Sequence, residues 1–450
     1  MGKLFGTDGI RGVANEYPMT PEMVENIGRA VAKIFKGKEG KASVVIGKDT
    51  RISGDMLERA LVSGICSMGS DAYLTGILPT PGVAFITALK QANAGIVISA
   101  SHNPYYDNGI KIFNGDGFKL SDEREAEIET LVLDKTITAL TKSIRNIGRT
   151  YGISDADIKY KNFVKGSMPE TFDLKGLKIT VDCSNGATYK IAPLMFAELG
   201  AEVEAFFTHP DGKNINDRCG SEHPEVLKQM VVDHGADIGL AFDGDGDRLI
   251  AIDETGDVLS GDQILAVCAK FLKQKGRLKR NRVVSTIMSN MGLGVALKNM
   301  GIEHIMSNVG DRYVMQEMIA SGAILGGEDS GHMIFLDHHT TGDGMLTALR
   351  LIEVMINESK PLSELKKVMT VFPQALLNVE VRKKPDIDTI PEITQEIKLV
   401  EEKLKGKGRV LVRYSGTQPM CRVMVEGPTI EETTEYCEQL ADIVKYILGK

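Results

Sequence analysis

Apolar strand-like runs alternate with helical patterns through most of this 450-residue chain, and this alternation constrains the fold more than any other feature. One cycle covers residues 41–99, a second covers 178–242 and a third covers 262–319. Strands that alternate with helices of about ten residues are typical of parallel α/β layers. The tail differs, because it reads as two helices around two short strands, Arg409–Val412 and Arg422–Val425.

The length of the chain exceeds what one hydrophobic core usually supports, so we expect several domains. We predict an α/β protein with three similar mixed α/β domains and a smaller C-terminal α+β domain. The predicted boundaries enclose residues 1–155, 156–256, 257–370 and 371–450. The charged stretch Lys383–Asp388 reads as a boundary loop ahead of the tail.

Composition and charge exclude several classes of protein. The net charge of −8 argues against general nucleic-acid binding. The sequence shows neither an apolar run of membrane-spanning length nor an apolar signal peptide, so we expect no membrane partner. The six cysteines are scattered without a C-x-x-C pair, which is typical of reduced thiols in a cytoplasmic protein.

Ser101 follows a buried strand that the apolar run Ala94–Ile98 predicts. The turn Ser101-His102-Asn103-Pro104 places a hydroxyl at the exposed end of that strand. Serine and asparagine before proline are also ordinary turn chemistry, and the turn alone favours neither interpretation.

Asp243, Asp245 and Asp247 alternate with glycines, so all three carboxylates can turn inward. With Glu254 at position 12 the segment first matches an EF-hand loop. Arg248 stands where that loop needs glycine, and strand-like residues flank the segment, which together argue against an EF-hand. An acidic turn between strands is the other structural alternative. Three monodentate carboxylates would leave an octahedral Mg²⁺ open to a phosphate oxygen.

A basic, donor-rich segment follows a predicted strand near the C-terminus. Arg413 can bind phosphate through two hydrogen bonds, Ser415 and Thr417 add hydroxyl donors, and Gly416 permits close approach. Arg422 follows on the next predicted strand. A surface turn with an arginine at its rim is the structural alternative.

Three further polar groups are candidates for a sugar-phosphate site. Glu328 and Ser330 lie between glycines in the segment Gly326–His332 and suit sugar hydroxyls, although a structural turn explains them equally well. Arg11, in a glycine-rich segment near the N-terminus, is a candidate phosphate contact. Lys111 is long and mobile enough to carry a proton, although a solvated surface lysine is the commoner case.

A hydroxyl, a carboxylate cluster and a phosphate-binding segment together indicate phosphoryl transfer. In this combination and order the motifs resemble the α-D-phosphohexomutase family, and most closely its bacterial members that act on glucosamine phosphate. The resemblance covers essentially the whole chain and is carried by Leu4–Gly12, Ile98–Lys111, Asp243–Arg248, Gly327–His332 and Arg413–Thr417.

The resemblance implies four domains around one central cleft and assigns a role to each motif. Ser101 would carry the phosphoryl group, and His102 and Lys111 would take part in proton transfer, with Arg11 near the transferred group. One Mg²⁺ would be bound by the phosphoserine and the aspartates, that is by Ser101, Asp243, Asp245 and Asp247. Contacts to the sugar and to its non-reacting phosphate would come from Glu328, Ser330, Arg413, Ser415, Gly416, Thr417 and Arg422.

The implied activity is the interconversion of glucosamine 6-phosphate and glucosamine 1-phosphate through a sugar 1,6-bisphosphate, which also serves as activator. A phosphomannomutase or phosphoglucomutase, or a non-catalytic protein that binds metal or sugar phosphate, is the alternative, and a homodimer stays open. The chain departs from the family pattern at Asp329, where the aminosugar members usually carry glutamine, and at Tyr414 and Gln418, where proline and glutamate are usual.

Overall fold

The computed structural model describes residues 4–6, 8–36, 40–134, 137, 146–415 and 419–449. It divides the chain into two compact units. The first unit contains residues 1–288 and 302–368, and the second contains residues 289–301 and 369–450. Among the helices of the described residues, none is both long enough and apolar enough to cross a membrane.

The first sheet of the first unit has six strands in the order β1-β5-β4-β2-β3-β6. These strands are β1 (Ile10–Val13), β2 (Ser43–Lys48), β3 (Asp71–Ile77), β4 (Ala94–Ile98), β5 (Asp107–Asn114) and β6 (Thr150–Gly152). The helices of this region are α1 (Pro21–Ile34), α2 (Gly54–Ser67), α3 (Thr80–Leu89), α4 (Asp122–Leu133) and α5 (Ala156–Gly166). All five residues of β4 are buried, as expected for a central strand covered on both faces.

Helices α1 and α2 pack closely because glycine occupies their crossing point. A Cβ added at Gly28 would lie 2.6 Å from the carbonyl oxygen of Leu61, and one at Gly64 would lie 2.0 Å from that of Glu25. Any side chain at either position would therefore push the helices apart.

The second sheet has five strands in the order β11-β10-β9-β7-β8. Its elements, in chain order, are β7 (Lys178–Asp182), α6 (Ile191–Glu198), β8 (Glu202–Phe206), α7 (Glu225–His234), β9 (Ile238–Phe242), β10 (Leu249–Asp253) and β11 (Val258–Leu259).

The third sheet has four strands in the order β13-β12-β14-β15. The elements that follow β11 are α8 (Gly261–Gln274), β12 (Arg282–Thr286), α9 (Met291–Asn299), β13 (Glu303–Ser307), α10 (Asp311–Ser321), β14 (Leu325–Gly327), β15 (Met333–Phe335), α11 (Gly344–Glu358) and α12 (Leu362–Leu365). Of these elements, α9 belongs to the second unit.

The second unit carries an antiparallel sheet in the order β16-β18-β17. Its remaining elements are β16 (Gln374–Glu380), α13 (Pro391–Leu404), β17 (Arg409–Tyr414), β18 (Met420–Glu426) and α14 (Ile430–Leu448). Val400 of α13, Val423 of β18 and Leu440 of α14 lie in one buried apolar cluster between the helices and the sheet.

The predicted fold class is confirmed, and the strands of the three cycles lie close to their expected positions. The three large sheets are mixed rather than wholly parallel, because each of them contains antiparallel pairs beside its parallel ones. The connections β4–β5, β9–β10 and β14–β15 span residues 99–106, 243–248 and 328–332. Segments this short cannot make the crossover that parallel neighbours require. These three connections contain the sequence motifs described above: the first contains Ser101, the second Asp243, Asp245 and Asp247, and the third Glu328.

Two expectations for the C-terminal residues 371–450 are wrong. This segment begins with strand β16 before its first helix, and Lys383–Asp388 lies inside the second unit rather than at its boundary. Arg413 lies within strand β17, so the loop that follows is shorter than the sequence motif.

Candidate active site

The three short strand connections meet in the first unit. Ser101 Oγ of the first connection donates a hydrogen bond to Asp243 Oδ2 of the second at 2.6 Å. The second connection reaches the third, since Arg248 forms an isolated β-bridge with His332 and the Leu249 N–H donates to the Gly331 carbonyl at 3.0 Å. The equivalent end of each sheet therefore supplies one wall of a single polar site.

Ser101 is held in a left-handed backbone conformation, with φ of 54°. Its N–H donates to Ser99 Oγ at 2.9 Å, and that hydroxyl donates to Asp49 Oδ2 at 2.6 Å. All three residues are buried. A non-glycine residue at positive φ costs conformational energy, and these contacts hold the Ser101 backbone in that conformation.

Arg51 organises this connection and was not found by sequence reasoning. Its side chain is fully buried beside Asp49, with Nε 2.8 Å from Asp49 Oδ2. The remaining guanidinium nitrogens donate to four backbone carbonyls, those of Ser101, Asn103, Pro104 and Asp107. The only signal in the sequence was a pair of opposite charges directly after the apolar strand β2.

Asp243, Asp245 and Asp247 offer ligand atoms that all lie within 4.8 Å of one another, and all three residues are buried. Asp245 Oδ1 and Asp247 Oδ1 are buried without a hydrogen-bond partner. Buried carboxylate oxygens without a partner are costly, so the arrangement suits a hard cation that accepts oxygen ligands. Strands flank this connection, and Glu254 instead accepts a hydrogen bond from Ser363, which excludes the EF-hand interpretation.

Lys111 is buried at the centre of the carboxylates rather than exposed at the surface. Its Nζ lies 2.9 Å from Asp245 Oδ2, 3.1 Å from Asp247 Oδ2 and 3.1 Å from Asp8 Oδ2. Burial alone would lower the pKa of Lys111, but the three carboxylates raise it well above its ordinary value. The lysine is therefore a fixed positive charge that offsets part of the local negative charge.

Asp243 and Asp247 differ in their protonation behaviour. Burial, followed by the Asp247 and Asp245 carboxylates, raises the pKa of Asp243 well above its ordinary range. Burial also acts to raise the pKa of Asp247, but Lys111 and then His332 lower it well below its ordinary range. A cation at Asp243 would therefore relieve a repulsion that is already present.

Arg11 and His102 both lie at the serine connection, Arg11 against Asn103 and His102 against Ser101. Arg11 Nη1 donates to Asn103 Oδ1 at 3.3 Å, and its Nη2 lies 2.5 Å from Asp8 Oδ2. His102 Nδ1 lies 3.3 Å from Ser101 Oγ. Burial, followed by the charges of Arg248 and Arg11, lowers the pKa of His102 to about 3. The imidazole is therefore neutral at physiological pH and can accept a hydrogen bond.

Charges of alternating sign form a closed ring next to the serine, here called the charge ring. Its six members, in order, are Lys111, Asp8, Lys119, Asp311, His332 and Asp247. Each nitrogen of the His332 ring lies 3.6 Å from a carboxylate oxygen of a neighbour. Burial acts to lower the pKa of this histidine, but Asp247 and then Asp311 raise it above its ordinary value. Lys111 and Asp247 were assigned roles from the sequence, and none of the other four members was.

The third connection presents Glu328 and Asp329 differently. Glu328 Oε1 accepts a hydrogen bond from the Gly310 N–H at 3.0 Å, and burial raises the pKa of this half-buried carboxyl. Asp329 is exposed, and its Oδ1 accepts a hydrogen bond from the Asp262 N–H at the start of α8, at 3.3 Å. Asp329 thus stabilises a helix N-terminus, while Ser330 is half-buried beside it.

In the second unit, Arg413 and Arg422 are directly opposed in the antiparallel pair β17–β18. Like charges directly opposite each other destabilise a pair of strands, and an anion bound near both arginines would offset this repulsion. Ser415 is buried at the end of β17, and its carbonyl accepts a hydrogen bond from Lys384 Nζ at 2.6 Å. Gly416 and Thr417, which the sequence also assigned to phosphate binding, lie outside the described residues.

Four family models match the chain in succession. They describe phosphoglucomutase/phosphomannomutase alpha/beta/alpha domains I, II and III, at residues 2–138, 159–256 and 260–372, and the C-terminal domain of the same family, at residues 376–443. Together they account for nearly the whole chain.

Individual proteins give the same result. The phosphoglucosamine mutase of Syntrophus aciditrophicus is 60% identical over 449 residues, covering 100% of both chains. A phosphoglucomutase/phosphomannomutase family protein of Burkholderia thailandensis has the same fold, with a TM-score of 0.79 at 24% identity, over 98% of this chain and 97% of that one. The N-acetylphosphoglucosamine mutase of Aspergillus fumigatus, solved with GlcNAc-6P and magnesium, shares the fold at a TM-score of 0.70 and 17% identity, over 99% and 96%. The chain therefore belongs to the phosphoglucomutase/phosphomannomutase family, on the branch of its phosphoglucosamine mutase relatives.

Proposed function

We propose that this protein interconverts glucosamine 6-phosphate and glucosamine 1-phosphate, with Ser101 as the phosphoryl carrier. The observation that carries the proposal is the hydrogen bond from Ser101 Oγ to Asp243 Oδ2 at 2.6 Å, next to two buried carboxylate oxygens that have no hydrogen-bond partner. A serine in this place can hold a phosphate at the edge of a cation site. The relatives named above support the choice of an aminosugar phosphate.

The phosphorylated Ser101 gives its phosphoryl group to the free hydroxyl of the substrate. The bond between phosphorus and Ser101 Oγ breaks, a bond to the sugar oxygen forms, and Ser101 Oγ takes up a proton in place of the one that the sugar hydroxyl loses. The product of this step is glucosamine 1,6-bisphosphate, which also activates unphosphorylated enzyme. The bisphosphate then reorients, and its other phosphate returns to Ser101 as the released sugar oxygen takes up a proton. Phosphoryl transfer of this kind depends mainly on positioning and on charge stabilisation.

Residues beside the serine suit these proton and charge requirements. His102 is neutral and 3.3 Å from Ser101 Oγ, so it can accept a hydrogen bond from the serine hydroxyl there. Lys111 stays charged between the carboxylates and can donate to an oxygen that develops negative charge. Arg11, which reaches the serine connection through Asn103, would stabilise the transferring group.

Mg²⁺ is the cofactor that we propose for the aspartate cluster. Asp243, Asp245, Asp247 and the phosphate on Ser101 would hold one ion, because hard oxygen ligands favour magnesium. When bound, the ion would offset charge on the transferring phosphoryl group.

The sugar is recognised, in this proposal, by Glu328 and Ser330 of the third connection. An ammonium group on the substrate needs acceptors, and the half-buried Glu328 carboxylate is better placed for this role than the exposed Asp329. In the second unit, the opposed pair Arg413 and Arg422 would bind the phosphate that is not reacting. Ser415, Gly416 and Thr417 would complete that contact. We also infer a cytoplasmic location, since all six cysteines are unpaired.

The decisive experiment compares kcat/KM for glucosamine 6-phosphate, glucose 6-phosphate and mannose 6-phosphate, each with its 1,6-bisphosphate. We expect the aminosugar to be preferred, with a moderate ratio unless its amine is fully buried. Peptide mass spectrometry should find one phosphate, on Ser101. Faster turnover of glucose or mannose 6-phosphate would identify the protein as the corresponding mutase. Binding without turnover, and without phosphate on Ser101, would indicate a non-catalytic protein.

A further inference from the structure

Thr80, the first residue of helix α3, is fully buried and makes two contacts with Asp245 of the second connection. Its Oγ1 donates a hydrogen bond to Asp245 Oδ2 at 2.5 Å, and its backbone N–H donates to the Asp245 carbonyl at 2.8 Å. The two residues are 165 positions apart in the chain, so the fold alone brings them together.

The two oxygens of the Asp245 carboxylate differ in their hydrogen bonds. Oδ2 accepts hydrogen bonds from both Thr80 Oγ1 and Lys111 Nζ, the second at 2.9 Å. Oδ1 is buried and has no hydrogen-bond partner. Because the lysine and the hydroxyl both hold Oδ2, Oδ1 is the oxygen left for a cation.

The packing around Thr80 keeps the aspartate connection from shifting. A Cβ added at Gly246 would lie 2.6 Å from Thr188 Cγ2 and 3.2 Å from Pro79 Cβ, so the chain of the second connection runs directly against the start of α3. Gly246 also has φ of 72°, a conformation that side chains rarely adopt. The N-terminus of α3 adds its positive dipole end on the same side.

We propose that Thr80 is a positioning residue that fixes Asp245 with Oδ1 directed to the cation site. The inference rests on the proposed function, since it concerns the metal ion of that site. Residues that orient a metal ligand from behind commonly change metal affinity or activity by about 10- to 100-fold when they are replaced. Loss of the threonine hydroxyl would leave the Asp245 carboxylate with one hydrogen bond, from Lys111, and a single hydrogen bond does not fix the rotation of the carboxylate.

The test is a titration of the intact protein, freed of metal and phosphate, with Mn²⁺ followed by electron paramagnetic resonance. Thr80→Val keeps the shape of the side chain and removes the hydroxyl, so we expect the Kd for Mn²⁺ to rise about 10-fold. Thr80→Ser keeps a hydroxyl and should restore affinity to within about threefold of the original protein. Kd measured directly separates ligand orientation from effects on turnover.

Thr87 provides the matched control, because it is another buried threonine of the same helix. Its Oγ1 donates to the Val83 carbonyl at 2.7 Å. Thr87→Val should leave the Kd for Mn²⁺ unchanged. Equal affinity of Thr80→Val and the original protein, or an equal loss in Thr80→Val and Thr87→Val, would overturn the proposal. Thr80→Ala takes the place of Thr80→Val if the latter does not fold. Turnover of glucosamine 6-phosphate by the original protein tests the proposed function separately.

Discussion

Ser101 Oγ and Asp243 Oδ2 lie 2.6 Å apart although 142 residues separate them in the chain. Each residue stands in the short connection between two antiparallel strands of its own sheet. The two sheets thus place their equivalent connections against each other, and the serine hydroxyl becomes part of the carboxylate cluster.

Replacing Ser101 by alanine should abolish turnover and leave the fold intact, because the substitution removes the atom that carries the phosphate. Steady-state assays with glucosamine 6-phosphate and mass spectrometry of the purified variant would measure both consequences. Ser184 is a matched control, since it is a buried serine with φ of 52° that lies two residues after the end of strand β7 in the second sheet. Ser184→Ala should retain most of the activity. Near-normal rates in Ser101→Ala would refute its role as carrier.

Arg51→Lys should lower kcat by roughly 10- to 100-fold with little change in KM, because a lysine cannot hold four carbonyls of the serine connection at once. The measurement is kcat and KM over a range of substrate concentrations, together with the melting temperature. Arg59, an exposed arginine of α2, serves as control, and Arg59→Lys should change none of these quantities. An unchanged kcat in Arg51→Lys would show that this guanidinium does not position Ser101.

Activity should depend on a divalent cation held by the aspartate cluster. Exhaustive chelation should reduce the rate to background, and Mg²⁺ should restore it. Asp245→Asn should raise the Mg²⁺ concentration needed for half-maximal rate by at least about 10-fold, because one charged ligand is lost. Asp257→Asn, at an exposed carboxylate in the turn between β10 and β11, is the control. Full activity after chelation would contradict the metal site.

Arg422→Ala should raise KM for the sugar phosphate by roughly 10- to 100-fold, since charge-assisted hydrogen bonds contribute about 1.5–3 kcal/mol. A smaller effect on kcat is expected, because the contact holds the ground state and the transition state alike. Arg382 is an exposed arginine of the same unit, and Arg382→Ala should leave KM unchanged. Equal KM values for Arg422→Ala and Arg382→Ala would show that Arg422 of β18 does not bind the phosphate.

Asp182 should make stability fall as the pH rises from about 4 to 7. Burial raises the pKa of its carboxyl to about 7, against two backbone hydrogen bonds that lower it. The folded protein therefore binds the proton more tightly than the unfolded chain. The stabilisation that this proton provides is fully present below the pKa of Asp182 in the unfolded chain and is lost as the pH passes through its pKa in the folded protein. The free energy of unfolding falls over this range by at most about 1.4 kcal/mol per pH unit. The urea midpoint of Asp182→Asn, relative to the original protein, should rise over this interval, and a constant difference would contradict the assignment.

The motif residues were predictable because short glycine-containing connections keep chemistry-bearing groups together in sequence. Asp243, Asp245 and Asp247 are an example, since their spacing alone indicated convergent carboxylates. Arg51 and Thr80 were missed because their partners, Ser101 and Asp245, lie 50 and 165 residues away in the chain. The pattern of apolar residues predicts strands and helices, but it does not predict which distant side chains will meet.

The elements that escaped the sequence analysis have physical reasons of their own. In β16 only Val379 is buried, so this strand lacks an alternating apolar pattern. Helix α11 is buried at every residue from Gly344 to Met355, including Arg350 and Glu353, so its polar residues do not mark a solvent-exposed face. Lys111 was expected to be mobile, and only the folded structure shows three carboxylates around it.

The charge ring contains equal numbers of positive and negative groups. A substitution that removes one charge therefore leaves one group of the opposite sign without its full compensation. Neutralising Lys119 alone leaves Asp8 and Asp311 with one cation fewer to share, whereas neutralising Lys119 together with Asp311 removes one charge of each sign. The cost of the double change should therefore be smaller than the sum of the two single costs. Among relatives, substitutions in the ring should accordingly occur as adjacent pairs, so that a lineage that loses one partner also loses its neighbour.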